Sequence, residues 1–314
     1  MGTPQFAVPA LEALQEHYEV VAVVTQPDAP AGRGRALAAS PVKQFALAHG
    51  LPVVQPESLK PPQEVQQLRR YAPDLIVVAA FGQILRRDVL SLPPRGCINV
   101  HASLLPRWRG ASPISAAVAA GDTTTGITVM LMEAGLDSGP ILTQRSEPIR
   151  AEDTTASLAE RLSHLGADLL VETLPRWLAG EIVPRRQDES QVTRCGQIKK
   201  EDGRIDWSLP AREIERHVRA MIPWPVAWTT WQGRQLQIRR AGLVTNEPLE
   251  PAVQATLGVA TTPGAVSVRG NNVSVRCGQG TLELLEVQLE GKRSMSAADL
   301  ARGQRHFADA RLGL

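Results

Sequence analysis

Cysteine is scarce in this chain. Its 314 residues hold three, Cys97, Cys195 and Cys277, far apart and in no Cys-x-x-Cys pair. That excludes a disulfide framework and leaves a reduced, cytoplasmic setting as the expectation. Long apolar runs are also missing, and no stretch approaches the roughly 18 residues of a membrane span. The opening Met1-Gly2-Thr3-Pro4 is not a basic segment followed by an apolar one, so no secretory signal is legible. Nor does any group of His, Cys, Asp and Glu have metal-ligand spacing, so no metal is expected. What is present is an ordinary globular composition, 43% hydrophobic and 21% charged, over a length that suits two domains.

The net charge of +2 conceals an asymmetry. Residues 190–314 carry 17 Lys and Arg against 12 Asp and Glu, whereas residues 1–189 carry 17 against 20. A basic C-terminal part fits a polyanionic partner, and simple solubility accounts for it equally well.

Strand-like and helix-like runs alternate as far as residue 180. Glu19–Thr25, Leu51–Val54, Asp74–Ala80, Cys97–His101, Thr125–Met132 and Ile141–Glu147 read as strands. Pro41–His49, Pro62–Arg70 and Ser112–Ala120 read as helices, and Leu158, Leu162, Leu165 and Leu169 recur at helical spacing. This is the rhythm of an α/β domain with a Rossmann-like, open, mostly parallel sheet, expected over residues 1–182. Gly2-Thr3-Pro4 looks like the turn after a first strand, and Pro9–His17 like the next helix. The strand itself is not in the sequence, so the true start is expected to lie upstream. Residues 183–208 read as a polar linker. From 209 to 314, a helix at Ala211–Met221 ends at Pro223-Trp224-Pro225. Short β-like runs follow: Ala227–Trp231, Arg234–Arg240, Gly264–Arg269, Asn272–Cys277 and Thr281–Gln288. They suggest a small OB-like barrel, a fold that often handles oligonucleotides.

Three polar residues stand out. Asn99 and His101 are two apart in a strand-like run and leave the same face. Asp137 follows a second strand-like run, in Gly135-Leu136-Asp137-Ser138-Gly139-Pro140. Together they offer a base, a carbonyl polariser and a carboxylate. A strand-end His can equally be a core hydrogen-bonding residue. The Pro- and Gly-rich stretch after it, Ser103 to Pro113, favours a ligand site, because open α/β sheets bind at strand carboxyl ends.

The run Asn99-x-His101-x-Ser103-Leu104-Leu105-Pro106-x-Trp108-Arg109-Gly110-x-x-Pro113, with Leu136-Asp137-x-Gly139, resembles the folate-dependent formyltransferase superfamily. Gly2-Thr3-Pro4-x-Phe6-Ala7-Val8, Gln26-Pro27-Asp28-x-Pro30-x-Gly32-Arg33-Gly34 and Pro223-Trp224-Pro225 are similar to its tRNA-directed branch. Val226 departs from that pattern, where a small residue such as Gly is expected. The resemblance implies transfer of a formyl group from 10-formyltetrahydrofolate to the α-amino group of methionine on initiator methionyl-tRNA. It implies that Asn99, His101 and Asp137 are catalytic. Asn99 would donate to the developing oxyanion, and His101 would share that role or take the amine proton. Asp137 would orient and charge-balance His101. It further implies a folate pocket lined by Phe81, Gly82, Gln83, Ile84, Leu85 and by Ser103, Leu104, Leu105, Pro106. Read alone, Phe81-Gly82 is only a strand-to-helix turn.

For the tRNA, the resemblance points to the Gln26–Arg35 loop, with Arg33 and Arg35, while Lys199, Lys200 and Arg204 are expected on their charge to track tRNA phosphates, solvated surface being the alternative for each. A solvated surface loop is the plain alternative for the first. Cys97 reads as buried filler. Formylation of a nucleotide-linked amino sugar, hydrolysis of the formyl-folate, and tRNA binding without catalysis are the competing functions. The basic C-terminal part argues against the first two, and the three polar residues at family spacing against the last. A monomer is expected.

Overall fold

Residues 1–31, 36–244 and 262–313 are described by a computed structural model of the chain. The chain forms two compact units. One comprises Met1–Pro113, Thr124–Pro148 and Ser157–Gly196, the other Ile114–Thr123, Ile149–Ala156 and Gln197–Leu314.

The strands of the first unit are β1 (Val23–Val24), β2 (Ala29–Ala31), β3 (Ala36–Ala38), β4 (Val53–Val54), β5 (Ile76–Val78), β6 (Cys97–His101), β7 (Arg109–Gly110), β8 (Thr124–Leu131), β9 (Ile141–Pro148) and β10 (Arg194–Cys195). β1 pairs parallel with β4, and β5 parallel with β6. β8 and β9 then add antiparallel, giving the order β5-β6-β8-β9. The Rossmann-like open fold expected from the apolar runs is present, but the mostly parallel sheet is not: β1 and β4 pair separately, and in the four-stranded sheet only β5-β6 is parallel. Val24, Val54, Ile76, Val78 and Phe81 share one buried cluster with Val65 and Leu68 of the helix Pro62–Arg70. Helix Pro41–Ala48 starts where its sequence dictates. Pro41 needs no N–H partner, and the Ser40 hydroxyl accepts from Lys43 N at 3.1 Å.

The run Glu19–Thr25, expected as a strand, is paired at Val23–Val24. Val20, Val21 and Ala22 instead line a cavity of about 530 Å³, together with Leu75, Val77, Leu174 and Leu178. A run without a neighbour forms no ladder. The β1 and β5 sides meet at Met1–Gly2, where Gly2 N donates to Val24 O at 3.0 Å and Ala79 N to Met1 O at 2.9 Å. The Met1 ammonium donates to Val77 O at 2.7 Å, and burial of that group lowers it to about 6.

In the second unit, the helix Ala211–Ala220 buries Ile214 and Val218. Strands β11 (Ala227–Trp231), β12 (Arg234–Leu243), β13 (Val266–Arg269), β14 (Asn272–Arg276), β15 (Thr281–Leu289) and β16 (Met295–Ser296) follow. Their alternating burial matches the period of two seen in the sequence. Val226 adopts φ +67°, so a β-branched residue stands in the left-handed region where the family pattern expects Gly.

The barrel expectation is wrong. The sheet runs β11-β12-β15-β14-β13, with β16 on β15, and is open among the described residues. A barrel would have to join β11 to β13, but irregular segments take up their outer edges. Ile205 N donates to Trp228 O on β11 at 2.8 Å. Val266 N on β13 donates to Ala310 O at 2.8 Å, and Gly313 N donates to Thr230 O at 2.9 Å. Backbone groups already bonded to these segments cannot also close a sheet.

Candidate active site

Asn99 and His101 lie on β6, held by β5 on one side and β8 on the other. The register Val78↔Asn99, Asn99↔Met130 and His101↔Thr128 fixes both positions. Asp137 comes from the turn between β8 and β9. It has φ +49°, unusual for a residue with a side chain. The turn folds back over β6 and brings the carboxylate to both partners. Asn99 Nδ2 donates to Asp137 Oδ1 at 3.4 Å, and His101 Nδ1 stands 3.7 Å from Asp137 Oδ2. Asp137 Oδ2 also accepts from the backbone N–H of Gly110 at 2.8 Å. The structure thus brings together the three residues that the sequence singled out.

The orientation of His101 has another source. Its Nε2 lies 3.0 Å from the carbonyl oxygen of Trp108, which can only accept. Nε2 therefore carries hydrogen. In neutral His101 the lone pair is then on Nδ1 and faces the carboxylate of Asp137. A proton arriving at Nδ1 converts two facing acceptors into an ion pair. His101 is buried, with 6% of its surface exposed.

The segments around these residues are tightly braced. Trp108 N donates to Thr193 Oγ1 at 2.8 Å, and Arg109 N to Thr193 O at 2.9 Å. β7 pairs parallel with β10, next to Cys195. The Cys195 thiol is pushed up by burial, with the nearby Asp137 charge adding to the effect. Burial pushes the Cys97 thiol up to about 12, which suits filler and not a nucleophile.

Phe81–Leu85 leaves β5 at the end from which His101 leaves β6, because the two strands are parallel. Phe81 and Leu85 are buried, while Gly82 and Ile84 are exposed. Gly82 has φ +87°, open to glycine at no steric cost. The Phe81 carbonyl accepts from Thr3 Oγ1 at 2.9 Å and from Gln26 Nε2 at 3.2 Å. Gln83 accepts from Leu59 N at 3.0 Å and donates to Pro56 O at 3.0 Å. Ser103 is fully buried and donates to Arg107 O at 2.6 Å, so its hydroxyl braces the loop. Leu105 N donates to Thr128 Oγ1 at 3.1 Å, with Leu104 and Pro106 half-buried on either side. Arg33 and Arg35 lie outside the described residues. Lys199, Lys200 and Arg204 are exposed residues of the second unit. Gln187 holds the Asp137 turn and Arg109 holds Gln187, and no local pattern signals this. They are 50 and 28 residues from Asp137 and fall in stretches that read as linker and loop.

The open α/β sheet carries a strand-borne Asn and His facing a turn-borne Asp, and the chain falls in the class of formyl transferases. Residues 1–174 match the family model "Formyl transferase", and residues 197–305 match "Formyl transferase, C-terminal domain". The chain is 50% identical over 313 residues to the methionyl-tRNA formyltransferase of Methylococcus capsulatus, covering 99% of this chain and 98% of that protein. It is 47% identical over 306 residues to that of Myxococcus xanthus, covering 97% and 94%. Among solved structures, the N-formyltransferase of Helicobacter canadensis, in complex with folinic acid and dTDP-3-aminofucose, shares the fold. The TM-score is 0.64 at 16% identity, over 90% of this chain and 96% of that one. The chain belongs to the methionyl-tRNA formyltransferase family.

Proposed function

We propose that Asn99, His101 and Asp137 carry the chemical step of this enzyme. The protein transfers the formyl group of 10-formyltetrahydrofolate to the α-amino group of methionine on initiator methionyl-tRNA, for translation initiation. The observation that carries the assignment is the convergence of Asn99 and His101 on one carboxylate. Attack of the amine on the formyl carbon forms a new C–N bond, puts charge on the formyl oxygen and leaves a surplus proton on the amine. One amide hydrogen of Asn99 is directed to Asp137, and the other serves the developing oxyanion. Such donors are worth about 3 kcal/mol elsewhere. Nδ1 of His101 takes the amine proton and Asp137 balances the resulting charge. The bond from the folate nitrogen to the formyl carbon then breaks, and that nitrogen regains a proton.

Phe81–Leu85 and Ser103–Pro106 line the folate side in this reading. The exposed apolar Ile84 and the side-chain-free Gly82 support it, since a flat ring needs an apolar face and close backbone approach. Arg33, Arg35, Lys199, Lys200 and Arg204 are assigned to tRNA phosphates by charge. All three reacting side chains come from one chain, so a monomer suffices. Among the described residues no helix is long and apolar enough to cross a membrane, and a cytoplasmic setting is part of this reading because a tRNA substrate is met where translation runs.

The test is transfer of radiolabelled formyl from 10-formyltetrahydrofolate to methionine-charged initiator tRNA, with His101→Ala alongside. Labelled formyl-methionyl-tRNA from the parent and none from His101→Ala supports the assignment. An active His101→Ala protein overturns it.

A further inference from the structure

We propose that Gln187 is a positioning residue for formyl transfer, acting through Asp137 without touching the reacting atoms. The inference rests on the reading of Asp137 given above. Gln187 Nε2 donates both its hydrogens to the Asp137 turn, one to Asp137 O and one to Gly139 O, each at 2.8 Å. Its Oε1 accepts from Arg109 Nε at 2.9 Å. The amide orientation is therefore fixed, because a guanidinium can only donate and the two carbonyls can only accept.

Arg109 is itself buried, with 2% of its side chain exposed, and forks onto Glu189 at 2.7 Å and 3.3 Å. Its guanidinium holds the Glu189 carboxyl below the usual range. A chain of four groups thus runs from an exposed carboxylate through a buried cation and a neutral amide to the backbone of the Asp137 turn. The end of that chain is a residue in the left-handed region, with φ +49°. A turn of that kind persists only when its surroundings hold it. Gly110 anchors the Asp137 carboxylate, and Gln187 anchors the backbone that carries it. Both anchors are needed to set the distances from Asp137 to Asn99 and His101.

No other residue type reproduces this arrangement. Glu offers no donors and would turn a carboxylate onto two carbonyl oxygens. Asn is one methylene short, and Met keeps the volume but makes none of the three bonds. Misplacing a reacting group by about 1 Å can cost on the order of a hundredfold in rate.

The experiment is steady-state kinetics of Gln187→Met, Gln187→Glu, Asp137→Asn and Gln187→Met/Asp137→Asn, with melting curves for each. Gln187→Met and Gln187→Glu should lower kcat by about tenfold to a hundredfold, with KM for both substrates close to the parent values. In the Asp137→Asn background, Gln187→Met should cost nothing further, because the group it positions is gone. Parental kcat in Gln187→Met, or a full additional loss in the Asp137→Asn background, overturns the proposal. A fall in melting temperature with kcat intact reduces Gln187 to a structural brace and also overturns it. An Asp137→Asn protein with parental kcat refutes the reading of Asp137 itself. An inactive Asp137→Asn beside a fully active Gln187→Met refutes only the role of Gln187.

Discussion

The backbone N–H of Gly110 donates to the carboxylate of Asp137 at 2.8 Å, across 27 residues of sequence. Gly110 has φ +127°, and a Cβ there would stand 1.9 Å from the carbonyl oxygen of Cys195. Alanine cannot be accommodated without moving β7 away from β10. Gly110→Ala is therefore expected to lose transfer activity by roughly a hundredfold or more, as the Asp137 anchor shifts. Its melting temperature should fall as well. Transfer assays and thermal denaturation of the same preparation check both, and a Gly110→Ala protein with parental kcat would refute the anchor.

In the proposed mechanism His101 and Asn99 divide the chemical work, so their variants should differ in size of effect. His101→Ala should lower kcat by about 10²- to 10⁴-fold, the usual range for a general base. Asn99→Ala should lower it by about 10²- to 10³-fold, the usual range for one oxyanion donor. KM for the folate should change little in either. Single-turnover rates at saturating folate separate these losses from weakened binding.

His217 gives the second unit a pH-dependent stability. Its ring is half-buried, and Nε2 is buried with no hydrogen-bond partner among the described residues. Burial lowers its pKa below 6.5, against a bond to the Gly203 backbone and the Asp202 charge, which raise it. Between the lowered value and 6.5 the unfolded chain binds a proton that the folded chain does not. Stability is thus full above that window and is lost as pH falls through it. Melting temperature should drop as pH is taken below 6.5, and less so in His217→Gln. Equal slopes in the two proteins would eliminate His217 as the cause.

The cavity between β1 and β5 is lined by Val20, Val21, Leu75 and Val77 and is bridged at Met1–Gly2. An engineered extension of about six β-branched residues ahead of Gly2 could pair with both sides and fill it. Each buried Val or Ile contributes on the order of 1.5–3 kcal/mol before ordering costs. We expect a rise in melting temperature of several degrees, and none from a polar extension of equal length. Calorimetry of the two fusions decides the matter.

The sequence by itself determined the kind of protein this is. The period-two run Cys97–His101 put Asn99 and His101 on one face, and the apolar runs predicted β5, β6, β8 and β9 to within about two residues at their ends. These features are local, since they depend on side-chain alternation and chain stiffness over a few residues. Tertiary structure decided what local pattern does not encode. It showed that Asp137 is held by Gly110 and Gln187, that the Trp108 carbonyl sets the proton position on His101, and that Arg109 is buried against Glu189. Those contacts join residues 7 to 80 positions apart. It also overturned the barrel, because whether a sheet closes depends on what meets its edge strands. Here the segments at Ile205 and at Ala310–Gly313 take those edges, and no feature of the β-like runs announces that.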